Sequence, residues 1–446
     1  MTRARLDSLY LLMLGCVVFV LLGAVLERAA PAPLADFRVV YYPARCLLQH
    51  GDPYNENEVL RVYRAEGGDR PSETEKVRQI ITRFIYFPGA FCLTIPFALL
   101  PWGPAHMLWM TLTVGLLILA SLLIWNFGAD DSPAVSGILA GFLLANSELI
   151  IITGNAAGIA ISLCIVAVWC FLRERLALLG ILCLAVSLAV KPQDSGLVWL
   201  YFLLAGGIYR KRALQTLAVT AVLSLPAVVW VAQVAPHWIQ EWHSNMAAFT
   251  VHGGISDPGV TSSGGHGLDM LINLQTAISY FWDNPHIYNP GSYLVCGLLI
   301  LVWAFTTLRS RPSPRGTWLA LAAIAALSML PVYHRQLDAR LLLLTIPACA
   351  MLWKAGRLIG RIALLVNATA FMLTGDLTWA VFFAFIRHLS PTSAWLSSGL
   401  LTAIEVFAAP MILLATSIFY LWAYVRHGEA DGSPRWSHAN AERLSS

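Results

Sequence analysis

The sequence predicts an all-α integral membrane protein, a polytopic bundle of about twelve transmembrane helices whose extracytoplasmic loops carry interfacial helices. Three observations lead there. Of the 446 residues, 58% are hydrophobic and only 12% charged, against about 25% charged in soluble domains. Apolar runs close to the roughly 20 residues that a spanning helix needs recur along almost the whole chain. Sixteen Trp and fourteen Tyr suit two aromatic belts at the membrane surfaces.

Composition also excludes some functions. The formal charge of +4 is small for this length and sits mainly in short loops, and neither a basic face nor a nucleic-acid motif is present, so no nucleic-acid partner is expected. Of eight cysteines, only Cys46 reads as lying in a loop. No Cys-x-x-Cys occurs, so neither a disulfide framework nor a cysteine zinc site is expected.

The first apolar run, 9–26, follows Arg3 and Arg5 and reads as a spanning helix with a cytoplasmic N-terminus. The apolar core of a cleaved signal peptide is shorter, about 7–15 residues. The polar segment 27–83 is the first large extracytoplasmic loop. Within it, Phe37, Val40, Tyr41, Ala44, Leu47 and Leu48 recur at helical spacing, with Arg38, Arg45 and Gln49 on the other face. That pattern predicts an amphipathic interfacial helix, kinked or broken at Pro43 and stopped by the turn chemistry of Gly51-Asp52-Pro53-Tyr54. The remainder, to about residue 78, carries both charge signs and reads as a solvated excursion.

Apolar runs then cover 84–100, 106–126, 134–152, 156–172, 176–190, 197–209, 214–234, 293–308, 317–333, 341–353, 362–386 and 398–425. With the first run that makes thirteen candidates. Basic clusters at Arg173/Arg175, Arg210-Lys211-Arg212, Arg309/Arg311/Arg315 and Lys354/Arg357/Arg361 mark cytoplasmic turns. Residues 1–425 then form one transmembrane domain, with a second large extracytoplasmic loop at 236–290 and a cytoplasmic tail at 426–446. Two cytoplasmic termini need an even number of spans, so one run falls short. The first suspect is 84–100, broken by Pro88 and Pro96; the second is 134–152, which holds Asn146 and Glu148.

On this topology the unusual polar residues gather on the outer side: Asp36 and Arg38, Tyr86, Asn155, Lys191, five loop histidines including His266, and the turn His334, Arg335, Asp338 and Arg340. Two arginines in a short outer turn run against the positive-inside rule and call for a reason such as an anionic ligand. Each residue also has a plainer reading. Asp36 is a good helix N-cap; Lys191 is placed to snorkel to the interface; His334 and Arg335 suit a structural turn with Asp338. Trp238 and Trp242, one helical turn apart, read as an interfacial anchor or a sugar-stacking platform. His237 and His243 lack zinc spacing, and no His-Glu-x-x-His occurs, so no metal is expected. There is no Asp-x-Asp, no P-loop and no Gly-x-Ser-x-Gly. No cofactor is expected.

Asp36-Phe37 with Tyr41-Tyr42, then Gly51-Asp52-Pro53-Tyr54, resembles the first loop of glycosyltransferase family 87, multispanning enzymes of the GT-C superfamily. In the family's order, Tyr86-Phe87-Pro88 with Pro96, Gly154-Asn155, Lys191-Pro192 and Tyr333-His334 resemble its later motifs. Phe87-Pro88-Gly89 departs from a double proline, and Ala156-Ala157 follow Asn155 where a second Asn is common. The resemblance implies a GT-C-like bundle in a bacterial cell membrane. It also implies a polyprenyl-phosphate-sugar donor used on the extracytoplasmic face, a lipid or glycan acceptor, and Asp36 as the essential acid. On that basis Asp36 is the expected general base of an inverting hexosyl transfer. Lys191, His334, Arg335, Arg340 and Arg38 are the expected donor-phosphate ligands, and Tyr41, Tyr42, Tyr86, Asn155 and His266 the expected sugar and acceptor pocket. A transporter or lipid flippase of envelope precursors fits the composition equally, but calls for polar groups at the membrane midplane. A non-catalytic envelope scaffold predicts no pocket at Asp36.

Overall fold

The computed structural model describes residues 2–30, 33–68, 74–259, 270–356, 358–389 and 399–427. Among these residues there is no β-strand, only one isolated bridge pairing Leu271 with Arg335. Helix α1 (Arg3–Ala29) leads into α2 (Ala35–Leu48), α3 (Glu56–Ala65) and α4 (Glu75–Thr82). Then come α5 (Phe91–Ala98), α6 (Trp102–Gly128), α7 (Pro133–Leu144), α8 (Glu148–Thr153), α9 (Ala157–Leu172), α10 (Ala177–Val190), α11 (Pro192–Ala205) and α12 (Gly207–Val234). The last third holds α13 (Trp238–Thr250), α14 (Leu274–Ser279), α15 (Pro285–Arg309) and α16 (Pro314–Leu327). A 3₁₀ stretch, Gln336–Leu344, precedes α17 (Thr345–Lys354), α18 (Leu358–Leu373), α19 (Asp376–Leu389) and α20 (Gly399–His427).

Among the described residues, seven helical segments are long and apolar enough to cross a membrane, eight if the pair α18–α19, bent by 62°, counts as one. The expectation of about twelve came from thirteen apolar runs and the even number that two cytoplasmic termini need. Four of the expected spans form helices of only 14 to 16 residues, α9, α10, α11 and α16. The 84–100 run yields a 3₁₀ turn and α5, an apolar stretch over Pro88–Ala98 that reaches only about 16 Å. Of these short helices, α9 and α16 lie inside the bundle, while α10 exposes Leu178, Leu179 and Leu182. In α16 every residue from Gly316 to Leu327 is buried, and its many alanines let neighbours approach closely. The long helices lie at the periphery: α12 and α15 expose Val222, Leu225, Leu294 and Leu301, apolar faces suited to lipid.

Helix α1 seats against α7 through glycines. A Cβ on Gly15 would stand 2.2 Å from the Gly141 carbonyl oxygen, and one on Gly137 2.3 Å from that of Ser8. Gly137 and Gly141 make a small-xxx-small pair, the spacing that lets apolar helices pack backbone to backbone.

The segment 27–83 differs from its sequence reading in the burial of its helix, in the place of Cys46 and in its charged stretch. Pro43 sits inside α2, which continues to Leu48. The helix is also buried nearly all round, Val39, Tyr42 and Cys46 included, because α3, α4, α5 and α6 cover its second face. Cys46 is therefore helical and buried, and burial pushes its thiol up to about 12. The charged stretch after Tyr54 is no solvated excursion. The Asn55 side chain caps α3, and Val59, Val62, Tyr63 and Ile81 are buried in the cluster built on α2. Phe37 stacks on Trp109 at 4.6 Å and on Trp102 at 5.4 Å between ring centroids. This aromatic core holds the start of α2, and with it Asp36, in one place.

Candidate active site

A cavity of about 550 Å³ opens between the start of α2, the α8–α9 and α10–α11 junctions, α13 and the turn before the 3₁₀ stretch. That is within the roughly 300–1,000 Å³ typical of small-ligand sites. Asp36, Tyr86, Asn155, Lys191 and Arg335 all line it, although 299 positions separate the first from the last. The rest of the wall is largely apolar, with Val39, Ile85, Leu188, Met246 and Phe249.

Local chemistry explains each placement. The N-cap of α2 is Leu34, in the left-handed region at φ 56°, with no side-chain cap. Asp36 therefore lies in the first turn, where the helix dipole favours a carboxylate, and it does not cap. Its partner is Asn155, whose Nδ2 donates to Asp36 Oδ2 at 2.7 Å. Asn155 is itself oriented, because its Oδ1 accepts from the Ala157 amide at 2.8 Å at the start of α9. Gly154 makes this possible. It ends α8 at φ 64°, and a Cβ there would meet Leu34 Cδ2 at 2.7 Å and Phe37 Cβ at 2.9 Å. Only a glycine lets the α8–α9 junction come this close to α2.

Lys191 stands where α10 gives way to α11. Pro192 has no N–H and disfavours helical geometry in the residue before it; Lys191 accordingly adopts φ −140° and ψ 78°. The break turns its side chain into a buried cluster. Lys191 Nζ donates to Asp338 Oδ1 at 2.7 Å and lies 3.6 Å from Asp194 Oδ2. His334 Nε2 lies 3.3 Å from Asp194 Oδ1. Asp338 Oδ2 accepts from the Arg335 amide at 2.8 Å. Asp194, His334 and Asp338 offer ligand atoms within 4.8 Å of one another, but the cation among them is the lysine, already at contact distance.

Arg335 lines the cavity and reaches the Ile255 carbonyl at 3.1 Å. Tyr86 completes the polar wall; burial pushes its phenol up, Lys191 opposes this and Asp36 adds to it, so the hydroxyl stays a donor. The remaining expected site residues lie elsewhere. Arg38 rests over Trp102 and donates to Tyr63. The Tyr41 hydroxyl is bonded to the Leu100 carbonyl, and Tyr42 stacks on Trp102. His334 is wholly buried behind Lys191. Arg340 points into the bundle and pairs with Asp376 at 2.7 Å. His266 lies outside the described residues. Of the two tryptophans, Trp242 lines the cavity and its indole N–H holds the Ile85 carbonyl at 2.8 Å. Trp238 instead packs on Tyr54 and Phe87.

Asp194 went unremarked in the sequence. An acid three residues past a lysine, opening an apolar helix, is the signal that marks it. Asp376, the partner of Arg340, was legible in the same way, as an acid inside an apolar run.

An apolar helical bundle, with a largely apolar cavity that gathers polar groups at several helix breaks, is that of a membrane protein with a small-ligand type of cavity. The model of glycosyltransferase family 87 matches residues 84–331, more than half of the chain. The protein belongs to that family, and is a membrane glycosyltransferase. Tyr86, Asn155 and Lys191 fall inside the matched stretch, and Asp36 and Arg335 outside it. No curated protein and no solved structure matches the chain.

Proposed function

We propose that this glycosyltransferase moves a hexose from a polyprenyl-phosphate donor to a lipid or glycan acceptor on the extracytoplasmic face of the cell membrane, with Asp36 as general base. The observation that carries this reading is the cavity itself. Two carboxylates, Asp36 and Asp338, two cationic side chains, Lys191 and Arg335, and the polar groups of Asn155 and Tyr86 meet in it from five separate segments, against a largely apolar wall. A lipid-linked sugar phosphate has the matching parts: a polar sugar, an anion and an apolar chain. The basic clusters on the loops support a reading with both termini in the cytoplasm and this cavity on the outer side.

In the proposed step the acceptor hydroxyl oxygen attacks the anomeric carbon. Its proton passes to Asp36, and the carbon–oxygen bond to the phosphate breaks with the electron pair leaving on the lipid phosphate. A single displacement inverts the anomeric centre. The leaving phosphate is already anionic, so it needs cations more than an acid; Lys191 and Arg335 are placed to meet it. Asn155 fixes the Asp36 carboxylate and leaves Oδ1 for the acceptor. Tyr86 is a donor for sugar hydroxyls.

The test is transfer by purified protein supplied with polyprenyl-phosphate hexoses, mannose first, and a lipid acceptor. Asp36→Asn should fold normally and lose about 10²–10⁴-fold in turnover, the usual worth of a positioned base. Near-full activity in that variant removes Asp36 from the mechanism. Movement of labelled lipid across vesicles without a covalent product would favour a flippase instead.

A further inference from the structure

The contacts of His334 pose a problem of proton placement. Its Nδ1 lies 3.1 Å from the Val332 carbonyl oxygen, which only accepts, so Nδ1 carries a hydrogen. Its Nε2 lies 3.3 Å from Asp194 Oδ1 as an ion contact, and neither Nε2 nor the Asp194 carboxylate oxygens make a hydrogen bond. A neutral ring with its hydrogen on Nδ1 would turn the Nε2 lone pair toward a carboxylate. Both residues are buried, at 0% and 1% exposure, so bulk water does not relieve that repulsion.

Charge balance points the same way. The cluster holds two carboxylates, Asp194 and Asp338, and one lysine. With both carboxylates ionised, a neutral His334 leaves a buried net charge of −1 and an imidazolium brings it to zero. Lys191, Asp194 and Asp338 are the charged groups that face the ring, with the Cys164 thiol of α9 near Asp194 and the Tyr86 phenol near Lys191 and Asp338. Burial by itself lowers the affinity of His334 for its second proton, but the two carboxylates more than offset this and hold it above its ordinary value.

We infer that Asp194 is a positioning residue that keeps His334 as an imidazolium, so that Lys191 is released from neutralising two carboxylates and presents its charge to the anionic group in the cavity. With His334 charged, the ring balances the charge of Asp194, and Lys191 need balance only Asp338. This role rests on the reading that the cavity receives a phosphate; the protonation state of His334 does not.

The experiment has two arms on the full-length protein in nanodiscs. In the first, ring-¹⁵N histidine spectra of the wild type are compared with His334→Gln, or with His334→Asn should that fold better, to identify the His334 signals. At pH 7.5 both ring nitrogens should be of the protonated type, and Asp194→Asn should convert one of them to the unprotonated type. An unprotonated ring nitrogen in the wild type overturns the inference whatever the second arm gives. In the second arm, the dissociation constant for sugar-free polyprenyl phosphate is followed from pH 7 to 9.5. Wild-type affinity should fall about tenfold as His334 loses its proton and the wall gains a negative charge. Asp194→Asn should show no such step, because its amide N–H satisfies the neutral ring. A step that persists in Asp194→Asn overturns the positioning role. A charged His334 with no polyprenyl-phosphate binding at any pH leaves the protonation standing and removes the donor reading instead.

Discussion

Among the described residues, two buried ion clusters each set a basic side chain against aspartate. In one, Lys191 meets Asp338 and Asp194, with His334 behind. In the other, Arg340 donates to Asp376 at 2.7 Å and to the Thr374 carbonyl at 3.3 Å. Asp376 also accepts from the Leu149 amide at 2.8 Å. The first cluster opens on a cavity through Lys191 and Asp338; no residue of the second lines it. Arg340 thus ties the 3₁₀ stretch to the bend between α18 and α19 and to the start of α8. Lys191 ties α10 and α11 to a wall that a ligand can touch. The contrast teaches that a buried charge in a membrane bundle is a functional candidate only after its access is known. In sequence, Lys191 and Arg340 stood as equal phosphate ligands.

The difference can be broken by experiment. Removing Arg340 leaves Asp376 charged and sealed, so Arg340→Met should cost about 3–5 kcal/mol, read as a large fall in thermal stability in detergent. Pairing it with Asp376→Asn should recover most of the loss. If the double variant is no better than the single one, the pair is not what holds these elements. Lys191→Met removes a cation as well, but Asp338 borders the cavity and keeps its bond from the Arg335 amide. Its stability loss should be clearly smaller than that of Arg340→Met, while affinity for the lipid phosphate falls about tenfold or more. The reverse order would collapse the distinction between the clusters.

Asn155→Ala should come next. It removes the amide that holds Asp36, a hydrogen bond to a charged group worth about 1.5–3 kcal/mol, and should lower turnover more than donor affinity. An unchanged turnover would mean that Asp36 needs no such restraint. At the small end, Lys354 pairs with Asp131 at 3.0 Å with more than half of its side chain exposed. Lys354→Ala should shift stability by less than about 1 kcal/mol; a larger loss would show that surface pairs matter here as buried ones do.

Much of the candidate site was legible in the sequence because local breaks mark it. Lys191-Pro192 cannot continue a helix, Gly154-Asn155 ends one and begins another, and Asp36 follows Pro31 and Pro33 after the first apolar run. Such breaks free backbone groups and side chains in the only places where an apolar bundle can be polar. What was not legible was the direction of each side chain. Tyr41 and Tyr42 sit one turn from Asp36, yet Trp102 and the Leu100 carbonyl engage them. Arg38 is two residues away and points to Tyr63 and Trp102. The number of spans was also out of reach. Apolar runs such as 156–172 and 317–333 look alike to a lipid-length criterion, whether they face lipid or sit inside the protein.

The sequence by itself determined that this is a helical membrane protein, where its helices break, and which family its motifs resemble, because hydropathy, proline and glycine act locally. Only the tertiary structure decided which polar residues share a cavity. Asp36, Asn155, Lys191 and Arg335 meet through the aromatic packing of α2, the close approach at Gly154 and the burial of Asp194, His334 and Asp338. Those are contacts between segments far apart in the chain, and a linear pattern carries no record of which segment becomes whose neighbour.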